Sequence, residues 1–535
     1  MTFRLLDSRP LPTQQEAPMP KPTPDYFERL GALVAIDNAA ARPTRSILEA
    51  FSGVEMATIP VATAEDLETA VSRARAAQQG WAKQSPAERA KVLKKFSELV
   101  FANAASLMDI AQAETGKARS YAQEEVVDVA LTARYYATHG PKMLAERKVQ
   151  GMLPGATKVR VRYQPKGVVG VISPWNYPLT LAVSDAVAAL LAGNGVVIKP
   201  DSQTPYCSLA LDELLYEAGL PPALFAVVPG PGSVVGQAIM ATCDYVMFTG
   251  SSETGASLAE QAGRRLIGFS AELGGKNPMI VTANAKIDHA VEGAARACYS
   301  NSGQLCISIE RLYVDKAIAE EFTEKFGTFV RNMKLGANYD FNVDMGSLAS
   351  AAQVETAEAH VDDAVSKGAT VVAGGKRRAD LGPFFFEPTV LSGVTDEMTC
   401  FRNETFGPVV SVYPVDSTDE AIKLANDTDY GLNASVFAGS SDEAQAIAEQ
   451  LRAGTVNINE GYAAAWASTA APMGGMGISG VGRRHGEEGL LKYTEPQTIA
   501  EQRFIGIDKA PGVPKSVYRA VTPLAVRSLK FLPGR

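Results

Sequence analysis

Three segments of this 535-residue chain carry side chains that together could perform nucleophilic chemistry on a carbonyl group. In SNSGQLCISIE, Cys306 lies in a polar, glycine-containing stretch rather than in an apolar run. AELGGKNP sets Glu272 beside two glycines, and SPWNYP sets Asn176 in a rigid Trp-Asn-Tyr-Pro turn. A lone cysteine is more often a small buried hydrophobe than a nucleophile. Its company changes the meaning: a thiol, a carboxylate and an amide supply a nucleophile, a base and an oxyanion donor. An ordinary carboxylate near pKa ~4.3 is a weak base, so the task predicts a partly desolvated Glu272 whose pKa is raised.

The other reactive side chains narrow the chemistry. The cysteines, at positions 207, 243, 298, 306 and 400, form no CxxC pair and no regular disulfide spacing, which fits a reducing, cytoplasmic setting. His139, His289, His360 and His485 are too scattered for a zinc site, so no metal enters the expected mechanism. A cysteine hydrolase or acyltransferase would call for a histidine base, and the segments around Cys306, Glu272 and Asn176 contain none. Two glycine-rich turns could receive a pyrophosphate. VVPGPGSVVG places Gly230, Gly232 and Gly236 after a strand, although the last spacing is one residue too long for GxGxxG. DYVMFTGSSETG has the same strand-turn-helix order, with Gly250 at the turn and the Ser251 and Ser252 hydroxyls available as donors.

These groups need a scaffold, and the patterning supplies one. From Pro60 to Arg147 apolar residues recur at helical spacing. KVRVRYQPKGVVGVIS then alternates as strands around a turn, and beyond Asn176 strands and helices alternate: GVVIKP, LFAVVPG and DYVMFTG read as strands. A second set runs from about Glu272, with PMIV, RLYVD, ATVVAGG, VVSVYPV, ASVFAG and GTVNIN as strands. Such alternation predicts an α/β protein with doubly wound parallel sheets. The formal net charge of -8 removes the broad basic field that nucleic-acid binding needs. The proline-rich start reads as a mobile leader, and no window approaches the ~18 apolar residues of a membrane span. The tail after Asp508 is basic, and Val517, Val521, Leu524 and Leu529 can line one side of a broken helix. It is expected to pack on a neighbouring subunit in preference to a membrane surface.

In order along the chain, PWNYP, KPDSQTP, FTGSSETG, ELGGKNP, GQLCIS, NETFGP and APMGGMGISGVG resemble the aldehyde dehydrogenase superfamily, from about Glu49 to about Gln502. Within it, YQPKGVVGVISPWNYP and GQLCISIERLYV are similar to a subgroup of actinobacterial NADP-type succinate-semialdehyde dehydrogenases. The resemblance implies a Rossmann-type cofactor domain over 26–143 and 165–271 and an α/β catalytic domain over 272–487. It further implies a small β oligomerisation arm over 144–164 and 488–503, between a leader, 1–25, and the basic tail, 504–535. It makes Cys306 the nucleophile that forms a thiohemiacetal and then a thioester with the aldehyde. Asn176 and the Cys306 backbone N–H would hold the oxyanion, and Glu272 would activate the hydrolytic water. The cofactor residues it implies are Trp175, Lys199, Ser202, Gly232, Gly250, Ser251, Glu404 and Phe406.

Several positions depart from the family's pattern. Ser202 stands where NAD-preferring members carry a glutamate that repels a 2′-phosphate, which favours NADP with NAD as a second cofactor, although Asp201 adds a nearby charge. Arg484 stands where many members have a glutamate, leaving more of the base role to Glu272. Ser184 and Ser300 occupy the positions of the arginines that clamp a substrate carboxylate. Arg162, Lys166 and Arg311 are the replacement cations nearest in sequence, while Tyr177, Tyr462 and Trp466 could instead line an apolar tunnel for aliphatic or aromatic aldehydes. Ser308 removes the second cysteine of a known redox pair. The small molecule expected is thus an aldehyde, with succinate semialdehyde foremost, and the assembly a homodimer or homotetramer.

Overall fold

Val168–Ile172, Gly195–Lys199 and Tyr245–Thr249 are apolar in sequence and buried along their whole length, as strands must be when helices cover both faces of a parallel sheet. The computed structural model describes residues 22–151, 157–503 and 512–531. These strands form the centre of a six-stranded sheet, ordered Gly480–Val481, Gly268–Glu272, Tyr245–Thr249, Val168–Ile172, Gly195–Lys199, Phe225–Val227. All its pairings are parallel except that of the short Gly480–Val481 edge. The helix Ala64–Trp81 covers it and Pro86–Ala102 packs on its helical layer, each opened by a capping box, Thr63 with Asp66 and Ser85 with Glu88. Their inward residues, Leu67, Leu93 and Phe96 among them, share one core with Val171, Leu190, Val197 and Phe225. The helix Pro178–Leu191 is buried on every side, which explains its almost wholly apolar sequence.

Chain order reverses at Val168–Ile172, which has Gly195–Lys199 on one side and Tyr245–Thr249 on the other. Such a reversal opens a crevice at the carboxyl ends of the strands. Trp175 and Asn176, Ser202, and Gly250 with Ser251 follow three of those ends, and Glu272 closes a fourth strand. The short segment 273–276 then crosses directly to Asn277–Val281, in the middle of a seven-stranded sheet. That sheet runs Thr370–Ala373, Thr389–Ser392, Val409–Val415, Ile309–Asp315, Asn277–Val281, Asn433–Phe437, Thr455–Ile458, with only the first strand antiparallel to its neighbour. Cys306 sits just before Ile309–Asp315, so the carboxyl ends of one sheet face the amino ends of the other across the crevice.

Some expectations needed revision. Glu272 belongs to the six-stranded sheet, pairing in parallel with Thr249, rather than opening the second strand set. Gly268–Glu272 and Thr389–Ser392 are strands that the sequence reading passed over, as is the hairpin of Thr44–Leu48 with Glu55–Pro60. The leader lies outside the described residues up to position 21, but its last two residues, Pro24 and Asp25, open a helix to Gly31 that buries Phe27 and Leu30. Thr494–Gln502, Thr157–Pro165 and Arg147–Val149 make a separate three-stranded antiparallel sheet. In the tail, Lys515–Ser528 is helical and leaves Val517, Val521 and Leu524 exposed; residues 504–511 and the Leu529 side chain fall outside the described set. Among the described residues no helix is long and apolar enough to cross a membrane.

Candidate active site

Left-handed backbone shapes the loop that delivers Cys306. Asn301, Ser302 and Gly303 have consecutive positive φ values of 51°, 58° and 72°. Non-glycine residues are held in that region only by surrounding contacts. Here Asn301 Nδ2 donates to the carbonyls of Asn176 and Gln304, each at 3.0 Å, and Ser302 Oγ donates to those of Gly346 and Ser347 at 3.3 and 3.2 Å. Gly303 tolerates no side chain at all, since a Cβ would come within 2.2 Å of the Gly407 carbonyl oxygen. The loop is then pinned on its other side by Asn277 Nδ2, which donates to the Cys306 and Ser308 carbonyls at 2.8 and 2.7 Å.

Cys306 emerges on a cavity of about 250 Å³ whose wall also carries Trp175, Asn176, Gly250, Ser251, Glu272, Glu404 and Phe406. Asn176 Nδ2 donates to the Gln304 carbonyl at 3.0 Å, which leaves its second N–H for an atom in the cavity. Its backbone is held from behind by Lys117, whose fully buried ammonium donates to the Asn176 carbonyl at 2.7 Å and pairs with Glu125. Glu125 in turn accepts from Leu179 and Thr180 N–H at 2.8 and 3.1 Å, so the ion pair is also anchored to the first turn of Pro178–Leu191.

The two glycines after Glu272 permit close approaches that any side chain would block. A Cβ on Gly274 would meet Glu404 Oε2 at 2.2 Å, and one on Gly275 would meet the Cys306 carbonyl oxygen at 2.7 Å. Glu404 accepts from Gly275 N–H at 2.9 Å. The loop carrying Glu404 and Phe406 is fixed by Glu310, which pairs with Lys276 and accepts from the Thr405 and Phe406 N–H groups at 3.0 Å. Phe406, itself at a φ of 50°, meets Trp175 edge to face with ring centres 5.6 Å apart.

Electrostatics separate the carboxylate from the thiol. Burial pushes Glu272 up to about 7, with Arg484 and Lys492 opposing the rise. Burial, together with the negative charges of Glu272 and Glu404, pushes the Cys306 thiol up to about 12, so the resting cysteine is protonated. Arg484 is buried and pairs with Asp185, which also accepts from Lys492 Nζ at 2.9 Å and Tyr493 O–H at 3.0 Å. A buried positive charge thus stands close to Glu272. Among the described residues no histidine lines the Cys306 cavity; His360 bonds Thr405 and the buried His485 has a pKa lowered to about 4 by burial and by Arg484.

The cofactor-side expectations divide. Ser251 caps the helix Ser252–Arg265, accepting from Thr254 N–H at 3.3 Å, and Gly250 is confined by the Phe248 ring, 2.5 Å from where a Cβ would stand. Ser202 lines a second cavity of about 250 Å³, shared with Arg45, Pro229, Gly230 and Pro231. Lys199 and Gly232 line neither cavity. Lys199 ends its strand buried, donating to the Pro200 carbonyl at 2.9 Å, and Gly232 begins the turn 232–236. The Asp201 carboxylate accepts from Gln203 N–H at 2.9 Å and does not line the Ser202 cavity.

On the substrate side, Ser184 donates to Asp128 at 2.8 Å and Ser300 to the Arg296 carbonyl at 2.6 Å, so both hydroxyls are engaged. The replacement cations lie elsewhere: Arg311 is spent on the Lys276, Leu424 and Ala425 carbonyls, Lys166 pairs with Glu495, and Arg162 is exposed on Thr157–Pro165. Tyr177, Tyr462 and Trp466 do come together, in an apolar cluster with Leu181, Leu305, Ile307 and Met473 that packs against Cys306. Sequence reasoning missed Gln353, which lines the Cys306 cavity, and the buried Lys117–Glu125 and Lys276–Glu310 pairs. Lys276 stood inside the quoted ELGGKNP, but nothing in sequence pointed to its partner.

This fold and site define an aldehyde dehydrogenase: the profile of the aldehyde dehydrogenase family matches residues 38–499, and the chain belongs to that family. A Mycolicibacterium smegmatis protein with the provisional name succinate-semialdehyde dehydrogenase (NADP(+)) is 64% identical over 97% of this chain and 100% of its own. Among solved structures, an aldehyde dehydrogenase of Brucella melitensis biovar abortus superposes with a TM-score of 0.83 at 33% identity, covering 88% of this chain and 97% of that one. The NAD+ complex of a Bacillus cereus aldehyde dehydrogenase superposes with a TM-score of 0.82 at 34% identity, covering 86% and 93%.

Proposed function

We propose that Cys306 is the nucleophile, Glu272 the base, and Asn176 with the Cys306 backbone N–H the oxyanion donors, in an NADP-preferring oxidation of an aldehyde to a carboxylic acid that also accepts NAD. The observation that carries this reading is the convergence of Cys306, Asn176 and Glu272, from three separate segments, on one cavity of about 250 Å³. The same cavity offers groups that fit a dinucleotide: Gly250 and Ser251 stand at a helix N-terminus, Trp175 and Phe406 offer aromatic edges and faces, and Glu404 offers a carboxylate suited to a ribose. Ser251 would hold the pyrophosphate, Lys199 and Ser202 the adenosine ribose end, Gly232 the adenine side, and Glu404 and Phe406 the nicotinamide half. When bound, the nicotinamide supplies the hydride acceptor.

The chain's own groups account for the remaining steps. With the thiol near 12 and Glu272 near 7, a standing thiolate is disfavoured, so the proton leaves Cys306 for Glu272 as sulfur bonds to the aldehyde carbon. The oxyanion that results sits against the free Asn176 N–H, a donor that typically contributes ~3 kcal/mol. After oxidation the carbon is a Cys306 thioester. Glu272 releases the thiol's proton to solvent and, as a carboxylate again, takes a proton from water; the hydroxide adds to the carbonyl, the C–S bond breaks, and the sulfur regains a proton from Glu272.

Succinate semialdehyde is the proposed aldehyde, on the strength of the name carried by the 64% identical relative. A broad aliphatic or aromatic range is the second reading, favoured by the apolar cluster against Cys306 and by the absence of an arginine at positions 184 and 300. Comparing kcat/KM for succinate semialdehyde, medium aliphatic aldehydes and benzaldehydes, each with NADP and NAD, separates them. A preference for the dicarboxylate-type substrate supports the first, and a preference for uncharged aldehydes overturns it. We further assign cofactor binding to the six-stranded sheet with its helices, and the nucleophile to the seven-stranded sheet. The three-stranded sheet, both of whose outer strands are open edges among the described residues, is assigned to a homodimer or dimer of dimers. A cytoplasmic location suits its five free cysteines.

A further inference from the structure

The cavity under Ser202 has a cation on its wall that the family motifs do not include. Arg45 lies on Thr44–Leu48, opposite Ile59 in the N-terminal hairpin, and lines the same cavity of about 250 Å³ as Ser202 and Gly230. Arg45 is exposed on its strand, and among the described residues it makes no ion pair and no side-chain hydrogen bond, although its guanidinium carries five donors. The buried Lys199 feels both neighbours: burial lowers its pKa, the Asp201 charge raises it, and the Arg45 charge lowers it. A guanidinium without an acid partner on a cavity wall is suited to receive an anion. The Asp201 carboxylate is engaged by Gln203 N–H and absent from the cavity wall. Thr204, between the cavity-lining Ser202 and Pro205, keeps a buried hydroxyl with no hydrogen-bond partner.

We propose that Arg45 is the specificity residue for the 2′-phosphate of NADP, clamping that phosphate together with the Ser202 hydroxyl. Ser202 removes the repulsion that a glutamate would impose; Arg45 supplies the attraction. Its planar fork suits the bidentate geometry of a phosphate monoester better than an ammonium does. The proposal rests on the NADP preference assigned above, and it makes that preference depend on a hairpin remote in sequence from the nucleotide motifs.

The test is calorimetric titration of the full-length protein and its Arg45→Gln variant with adenosine 2′,5′-bisphosphate, 5′-AMP and inorganic phosphate. Loss of one charge-assisted phosphate contact should weaken 2′,5′-bisphosphate binding roughly 10- to 100-fold, with 5′-AMP binding unchanged as the check on folding. Arg45→Lys should fall between the two. In turnover, kcat/KM for NADP should drop in step with binding while kcat/KM for NAD holds. If the unaltered protein does not distinguish the bisphosphate from 5′-AMP, the NADP preference itself fails. If it does distinguish them and Arg45→Gln leaves both affinities unchanged, or lowers both equally, the role of Arg45 is refuted while the preference stands. Tight binding of inorganic phosphate alone, lost in Arg45→Gln without effect on the bisphosphate, would make the cavity a free-phosphate site and overturn the proposal.

Discussion

Replacing Asn176 by alanine should lower kcat by about 10²- to 10³-fold while leaving the fold and cofactor affinity intact. The rate figure is the usual loss when one oxyanion donor is removed, ~3–4 kcal/mol of transition-state stabilisation. The structure argues that little else is lost. Asn176 Nδ2 donates to the Gln304 carbonyl, but Asn301 Nδ2 donates to that same carbonyl at 3.0 Å, so truncation leaves no orphaned acceptor. Lys117 and Asn301 grip Asn176 through its backbone carbonyl, which alanine retains. The stability cost should therefore stay near ~1 kcal/mol, the net worth of one hydrogen bond. The assay is pre-steady-state NADPH formation with Asn176→Ala, alongside thermal unfolding and NADP titration. A burst rate within tenfold of the unaltered enzyme would refute the oxyanion assignment. A large fall in Tm or in NADP affinity would show that Asn176 acts through packing instead.

Other outcomes follow from the same geometry. Glu272, raised to about 7, gains its basic form only as pH rises, so kcat/KM should climb through that region, and Glu272→Gln should lose this limb and slow both the NADPH burst and the steady rate; an unchanged burst would show that Glu272 does not take the thiol proton. Gly303→Ala places a Cβ within 2.2 Å of the Gly407 carbonyl oxygen at a φ of 72°, and should lower both Tm and activity; an unaffected Tm would mean the loop relaxes freely. Ser202→Glu restores a carboxylate at the cavity shared with Arg45, and should reduce the NADP-to-NAD ratio of kcat/KM. An unchanged ratio would place Ser202 outside the 2′-phosphate pocket.

What sequence disclosed and what it hid follow physical lines. The buried parallel strands announced themselves because covering both faces demands continuous apolar runs, as in Val168–Ile172. Gly268–Glu272 escaped notice because its sequence, GFSAE, is mixed: it runs near the edge of its sheet and buries only its last three residues. The Thr44–Leu48 hairpin was hidden for the same reason, burying a single side chain of its first strand. At the site, Cys306, Glu272 and Asn176 were legible since each sits in a glycine- or proline-bearing motif that strong local geometry requires. The groups that hold them were not. Lys117 and Glu125 are ordinary charged residues in a helical stretch, and only the fold brings them beneath Asn176. Arg45 and Ser202 come from distant segments, and Arg484 reads as a lost glutamate in sequence but as a buried cation near Glu272 in three dimensions. At the clamp positions the Ser184 and Ser300 hydroxyls are engaged by Asp128 and the Arg296 carbonyl, and Arg162, Lys166 and Arg311, the cations nearest in sequence, lie elsewhere in the fold.

The most direct test of the account is the Cys306→Ala variant, assayed for NADPH formation from NADP and aldehyde with NADP binding measured on the same preparation. The account predicts no detectable NADPH with cofactor affinity unchanged; NADPH formation at the rate of the unaltered enzyme would contradict it.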